Sequence, residues 1–322
     1  TLKDETEVTV FRDAAEEEIF ADIRSTVERL EIHFDSFVNE QRFYDEGSLD
    51  EVVTLLREKG LVYDKDGAVW LKTTEFGKED DTVLIKSSGE PTYRLPDTAY
   101  HRDKVERGYE LIVDIFGADH KDTYPDVIAA IGALGYETDQ IRVLIHQFVS
   151  LLRNGKKVKM STRKATFVTL DELMDMVGVD VVRYFFIMRN RQSHLNFDIG
   201  LAEKESDENP VYYLQYAHAR ICNILKYAEE MGTKSNGEPK LTLLNEDEEL
   251  SLIKSLIHFP ETVMNALENL EPQTVAGYLQ GTASEFHKFY SEHRVVTNDK
   301  ELTMARLFLV SAVRTVLANG LE

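Results

Sequence analysis

The sequence has a single cysteine, Cys222, in 322 residues. That excludes an intramolecular disulfide and any metal site built from several thiolates, and it points to a reducing, intracellular compartment. No run approaches the ~18 consecutive apolar residues of a membrane helix, and no charged-then-apolar signal segment opens the chain, so no membrane association is expected. Positive charge is also short. Lys and Arg number 37 against 58 Asp and Glu, a net charge of −21. Such a field excludes a protein that coats nucleic acid indiscriminately, yet a local basic surface can still dock phosphates. There is no internal repeat and no low-complexity segment. The chain is 43% hydrophobic, enough for a real core, and its length fits two or three domains. It begins with Thr1 and stops at Asn319-Gly320-Leu321-Glu322; both ends read as cuts through a longer protein.

One stretch reverses the charge balance. From Gln140 to Leu170 there is no acidic residue, while Arg142, Arg153, Lys156, Lys157, Lys159, Arg163 and Lys164 are all basic. Lys159-Met160-Ser161-Thr162-Arg163-Lys164 is its centre. Ammonium, guanidinium, hydroxyl and backbone N–H groups in one loop suit phosphate oxygens. A solvated basic turn would have the same composition.

Apolar spacing predicts a helix from Phe11 to Leu30, with Phe11, Ala15, Ile19, Ile23 and Val27 on one face, and a short strand at Glu31–Asp35. Ser48 and Glu51 have the spacing of a capping box, and the helix they open should stop at Gly60. Residues 61–72 read as a hairpin turning at Asp64-Lys65-Asp66-Gly67, and Val83–Lys86 as another strand. The pattern then changes to a helix over 96–107, a buried-type strand over 111–116, a helix over 125–134 and a strand over 141–145. Strand, helix and strand with short links make a parallel α/β unit, which binds ligands beyond the carboxyl ends of its strands. Gly117-Ala118-Asp119-His120 lies at one such end, and the basic loop follows another. Taken alone, His120 reads as a structural histidine; Asp97 could cap the helix or accept from a cationic ligand, and the cap is the simpler reading.

Thr169 and Glu172 form a second capping box, opening a helix with Leu173, Met176, Val177, Val181, Tyr184 and Phe185 at core spacing. Residues 198–209 are polar and acidic, a junction. Beyond it the pattern is helical at 210–230, 247–268, 272–293 and 299–319, with Pro272 in a first turn; this is a helix bundle. Its first helix holds Tyr212-Tyr213-Leu214-Gln215-Tyr216-Ala217-His218-Ala219-Arg220. These groups could stack on unpaired RNA bases, or simply pack the bundle with Arg220 solvated.

Five segments in series resemble the arginyl-tRNA synthetase family. Asn209 to Arg220 resembles the start of its helical anticodon-binding domain. Lys159 to Lys164 is similar to its form of the class I signature loop. Tyr93-x-x-x-Asp97, Gly117-Ala118-Asp119-His120 and Leu317-Ala318-Asn319-Gly320-Leu321 match in order. The resemblance implies an α/β fold, the carboxy-terminal half of a Rossmann-like class I catalytic domain with an inserted hairpin region, followed by an all-α bundle. The expected domains are 1–150 (partial catalytic domain), 151–205 (signature loop and connecting helices) and 206–322 (anticodon-binding domain).

The resemblance also implies a reaction: arginine and ATP give arginyl-adenylate and pyrophosphate, and the arginyl group passes to tRNA(Arg). Lys159, Ser161 and Arg163 would be catalytic, with Lys164 assisting; Lys159, Met160, Ser161 and His120 would bind ATP. Tyr93, Asp97 and His120 would bind arginine, which overrides the cap reading of Asp97. Gln215, Tyr216 and Arg220 would contact tRNA. Mg2+ would accompany ATP, with no structural metal, in a cytoplasmic monomer. The chain departs from the family at Thr162, where a second lysine is usual, and at Ala165, often glycine. None of the nine histidines lies in the His-x-Gly-His motif by which class I enzymes grip ATP. The chain therefore reads as a carboxy-terminal fragment, unable to activate arginine alone. The alternatives are a class I synthetase of other specificity and a non-catalytic tRNA- or RNA-binding module descended from one.

Overall fold

The computed structural model describes residues 5–153, 155–158, 168–233 and 238–322, with side chains from residue 9 onward. Two compact units emerge from its contacts: one of residues 33–148 and 191–194, the other of 1–32, 149–190 and 195–322.

Helix α1 (Glu5–Arg29) belongs to the second unit. Its predicted apolar face is not sealed: Phe11, Ile19 and Ile23 are exposed. The strand expected at Glu31–Asp35 does not form. Glu31 instead takes a left-handed conformation (φ +57°), and Ile32 N–H bonds back to the Val27 carbonyl at 3.0 Å. The segment serves as the closing turn of α1.

The 33–148 unit opens with α2 (Gln41–Asp45) and α3 (Ser48–Glu58). The Ser48 capping box is absent. Left-handed Gly47 occupies the N-cap, and the Glu51 carboxylate pairs with Arg102 at 2.8 Å. Gly60 (φ +73°) ends the helix as its sequence predicts. Strands β1 (Val62–Lys65) and β2 (Ala68–Leu71) then form the expected hairpin around Asp66-Gly67, both at positive φ. Strand β3 (Thr82–Ile85) adds to β2 antiparallel. Helix α4 (Arg94–Glu106) follows, with Pro96 in the first turn, where its missing N–H has no intrahelical partner to lose. Leu56, Leu71, Leu84, Leu95 and Ala130 are in the core of this unit.

Strand β4 (Ile112–Gly117), α5 (Tyr124–Leu134) and β5 (Ile141–His146) make the parallel unit, in register from Ile112↔Ile141 to Gly117↔His146. β4 is not buried on both faces: Ile112 and Asp114 are buried, whereas Val113 and Ile115 are exposed. Among the described residues β4 pairs only with β5, so its other edge has no strand beside it.

In the second unit the basic run includes a hairpin ahead of Lys159: β6 (Val149–Arg153) pairs with β7 (Lys156–Lys157) and, in parallel, with β8 (Leu195–Asp198). The Thr169 capping box is present and opens α6 (Leu170–Val177). Gly178 then breaks the expected single helix, and α7 (Val179–Ile187) follows. Met176 is consequently exposed, while Met174 and Val182 are buried. Asp198 caps the short α8 (Ile199–Ala202), and Asn209 caps α9 (Pro210–Glu230), its Nδ2 donating to the Ala202 and Lys204 carbonyls at 3.0 Å.

The bundle continues with α10 (Asp247–Ile257), α11 (Phe259–Asn269), α12 (Gln273–Glu292) and α13 (Lys300–Leu321). The helix expected over 247–268 is two, with Pro260 in the first turn of α11, and Pro272 stands at the N-cap of α12. By length and composition α13 could cross a membrane, which a search for an unbroken apolar run does not reveal. Here it lies against the bundle core through Ala305, Val310, Val313 and Leu317, and carries a buried Arg306–Glu249 pair at 2.7 Å.

Candidate functional site

The α4 site starts from β3. Thr92 N–H donates to the Leu84 carbonyl and Thr92 Oγ1 to the Val83 carbonyl, both at 2.8 Å, which fixes where α4 begins. Leu95, Pro96, Thr98 and Ala99 are buried. That orientation turns Tyr93 and Asp97, one helical turn apart, toward the open side. Tyr93 is 87% exposed. Asp97 is half-buried and is not a cap: Tyr93 holds the N-cap position and makes no side-chain cap bond. Arg94, between them, is pinned to buried Asp126 of α5 at 2.6 Å, and Lys78 reaches the other oxygen of that carboxylate at 2.5 Å.

Burial pushes the Asp97 carboxyl above its ordinary range. The charges of His101, His120 and Lys104 pull it back, and Asp114 pushes it further up. His120 thus lies within electrostatic reach of Asp97. It sits exposed in a single 3-10 turn (Ala118–His120) after β4, its ring stacked on Phe116 at 5.4 Å, and its carbonyl accepts from Thr123 Oγ1 at 3.0 Å. His120 therefore acts on Asp97 through its charge, and Tyr93 stands one helical turn before Asp97. A half-buried carboxylate facing an exposed aromatic ring suits a planar cation that offers paired N–H donors.

Beneath this site lies a cluster that sequence reasoning did not reach. His101 Nε2 meets Asp114 Oδ2 at 2.8 Å, His101 Nδ1 meets the Asp97 carbonyl at 2.8 Å, and Lys104 Nζ meets Asp114 Oδ1 at 2.5 Å. The sequence signals it only through Asp114, a charged residue within a strand whose composition is of the buried type.

The second site is on the bundle. Val211, Leu214, Ala217, Ile221, Ile224 and Ala228 form the buried stripe of α9. Tyr212, Tyr216 and Arg220 repeat every fourth residue on its flank. Tyr216 stacks on Tyr212 (6.1 Å, 10°) and on His287 of α12 (5.8 Å, 23°). The Arg220 guanidinium lies 4.4 Å from the centre of the Tyr216 ring and 4.8 Å from that of Tyr290, and it donates to the Tyr216 hydroxyl and, at 3.4 Å, toward His287 Nδ1. Burial and the Arg220 charge hold His287 below the usual histidine range, opposed by the Tyr213 carbonyl. Arg220 is thus not simply solvated. Gln215 is separate from this group: its Nε2 donates to Asp180 Oδ2 at 3.1 Å, beside a cavity of about 520 Å3 that Leu214, Leu279 and Leu321 also line. His287 and Tyr290 were missed because they lie about 70 residues away on another helix.

The expected phosphate-binding residues Lys159, Met160, Ser161, Arg163 and Lys164 lie outside the described residues. Of the basic run before them, Arg153 pairs with Glu203 at 3.2 Å. Among the described residues no group of three or more His, Cys, Asp or Glu side chains could hold a metal ion.

The family "tRNA synthetases class I (R), catalytic domain" matches residues 3–198, and "DALR anticodon binding domain" matches residues 214–322. The chain belongs to the arginyl-tRNA synthetases. Among curated arginine–tRNA ligases it is 52% identical to that of Desulfotalea psychrophila, over 100% of this chain and 58% of the relative. It is also 52% identical to that of Salinibacter ruber, over 97% and 55%. The chain thus spans a little over half the length of these relatives. A solved arginyl-tRNA synthetase structure from Campylobacter jejuni superposes with a TM-score of 0.86 at 32% identity, covering 98% of this chain and 70% of that one. The fold is shared with the Thermus thermophilus arginyl-tRNA synthetase, with a TM-score of 0.81 at 23% identity over 96% of this chain and 63% of that one. Membership in the arginyl family sets aside a class I synthetase of other specificity, and it accounts for the α/β part followed by a helical bundle.

Proposed function

We propose that this chain supplies the arginine-reading and tRNA-binding parts of an arginine–tRNA ligase, which joins arginine to tRNA(Arg) through an arginyl-adenylate. The observation that carries this reading is the half-buried Asp97 carboxylate beside exposed Tyr93 and His120. A guanidinium presents two parallel N–H donors to a carboxylate, where an ammonium offers a point charge, so Asp97 selects arginine over lysine. Tyr93 stacks on the bound side chain, and His120 approaches the amino acid or the nucleotide. Family membership supports ATP as co-substrate, with Mg2+ carried by its phosphates. Lys159, Ser161 and Arg163, with Lys164 assisting and Met160 at the nucleotide, neutralise phosphate charge as the arginine carboxylate attacks the α-phosphorus. Tyr216 and Arg220 meet unpaired tRNA bases, and Gln215 makes a separate contact. The ligase works in the cytoplasm as a monomer, without a membrane. This chain alone forms no adenylate, because it holds no His-x-Gly-His sequence.

The test is calorimetric titration of the chain with arginine, lysine and citrulline, alongside arginine-dependent ATP–pyrophosphate exchange. Arginine binding that Asp97→Ala weakens by about ten- to a hundredfold, the value of one charge-assisted pair, is expected, with no exchange signal. Equal affinity for arginine and citrulline would overturn the role of Asp97, and exchange by the pure chain would overturn its dependence on the absent motif. Binding of tRNA(Arg) without any arginine binding would favour a non-catalytic tRNA-binding module.

A further inference from the structure

We infer that His101 is a positioning residue for Asp97: an imidazolium clamped between the Asp97 carbonyl and the Asp114 carboxylate, it ties α4 to β4 and keeps a positive charge next to the arginine-reading carboxylate. The inference rests on the reading of Asp97 given above.

The argument is one of donors and acceptors. His101 Nδ1 lies 2.8 Å from the Asp97 carbonyl oxygen, which has no proton to give, so Nδ1 donates. His101 Nε2 lies 2.8 Å from Asp114 Oδ2. Lys104 Nζ holds the other oxygen of that carboxylate at 2.5 Å, which favours its ionised, acceptor-only form. Burial alone would push the Asp114 carboxyl up, but the hydrogen bonds and charges of His101 and Lys104 outweigh it and hold it below its usual range. Both ring nitrogens therefore serve as donors, which only the doubly protonated ring can do. The side chains of His101 and Asp114 are 5% and 4% exposed, so water offers no substitute partners.

The neighbouring elements leave this assignment intact. Elsewhere on α4, Arg94 is taken by Asp126 of α5, Arg102 by Glu51 of α3, and Asp103 by Arg42 of α2 and by Arg107. Lys104 also lies over the Tyr100 ring at 4.4 Å. Beyond β4, His120 approaches Asp97. Two positive groups, His101 and Lys104, face one carboxylate, Asp114, and the excess positive charge falls one helical turn from Asp97. Among the charges that oppose the effect of burial on Asp97, that of His101 is the largest. The clamp also fixes the rotation of α4 against β4, the strand that carries His120 at its end.

The test uses the full chain labelled with 15N in histidine rings and 13C in aspartate carboxyls. In the unaltered protein both His101 ring nitrogens should resonate as protonated, as their two acceptors require; a single protonated nitrogen would overturn the inference without recourse to any variant. In His101→Gln, which can still donate to Asp114 but carries no charge, Asp97 should titrate at higher pH. Arginine affinity should fall about tenfold as pH is lowered through the range in which Asp97 takes up its proton, a range that should lie higher in the variant, while circular dichroism stays unchanged. An Asp97 titration identical in the two proteins would also overturn it. If the unaltered chain binds no arginine, the reading of Asp97 fails, and the ring and carboxyl titrations still decide whether His101 sets the charge of Asp97.

Discussion

The two sites hold themselves together by opposite means. Around α4, two buried carboxylates are each held by a pair of cationic side chains: Asp114 by His101 and Lys104, Asp126 by Arg94 and Lys78. On α9 and α12, rings do the work, with one guanidinium laid between Tyr216 and Tyr290. A buried charge network tolerates no missing member, because each loss strands its partner in a low-dielectric setting. A stack of rings loses one contact at a time and stays accessible to further rings. The first arrangement suits a small ligand that must be told from a near-isostere. The second suits nucleobases, all of which have a π-face.

Asp114→Asn presses hardest on that contrast. It leaves His101 and Lys104 beside a neutral amide, and stability to denaturant should fall by about 3–5 kcal/mol. A loss near zero in urea titrations would mean that the cluster is more solvated than its burial indicates. In the bundle, Tyr216→Ala should weaken tRNA(Arg) binding by about 1–3 kcal/mol with little change in salt dependence, whereas Arg220→Gln should lower the log–log salt slope by about one. Every arginine anticodon has C at its middle position. Filter binding with transcripts altered only there separates base recognition from phosphate attraction: loss of discrimination in Tyr216→Ala would assign the stack to that base, and an unchanged ratio would not.

Acidification gives the smallest effect and divides the two regions by pH. His287 is held below its usual value by burial and by Arg220, so the folded state prefers the neutral ring. Its contribution is present above the ordinary histidine value of about 6.5 and is lost as pH falls through the lower folded value. The depressed carboxyl of Asp114 follows the same sign in a lower window: its contribution is present above the ordinary carboxylate value and is lost only in stronger acid. NMR of the His287 ring and the Asp114 carboxyl, followed from pH 7 downward, should register the bundle first.

Local signals carried much of this architecture. The Asp66-Gly67 turn, the Thr169 capping box and Gly60 act within a few residues, and each appears where its neighbours required it. The signals that failed were those needing a partner. Glu31–Asp35 had strand-like residues but no strand to pair with, so the closing turn of α1 took it. Ser48 had the capping spacing, but left-handed Gly47 and the pull of Arg102 on Glu51 displaced it. Gly178 divided a run whose apolar period alone looked continuous.

The candidate sites divide in the same way. Tyr93 and Asp97 are four residues apart, and helical geometry alone puts them on one face; Tyr216 and Arg220 are another such pair. Residue types and order along the chain were enough to identify the family, because those motifs are contiguous. Tertiary structure decided what local spacing cannot: that the charge of His120 acts on Asp97 from another element, that Gln215 turns to Asp180, and that His287 and Tyr290 complete the stack around Arg220. It also decided that His101 and Asp114, on separate elements, meet in the interior. Burial makes that contact consequential, since two charges that water would screen on the surface must satisfy each other once water is gone.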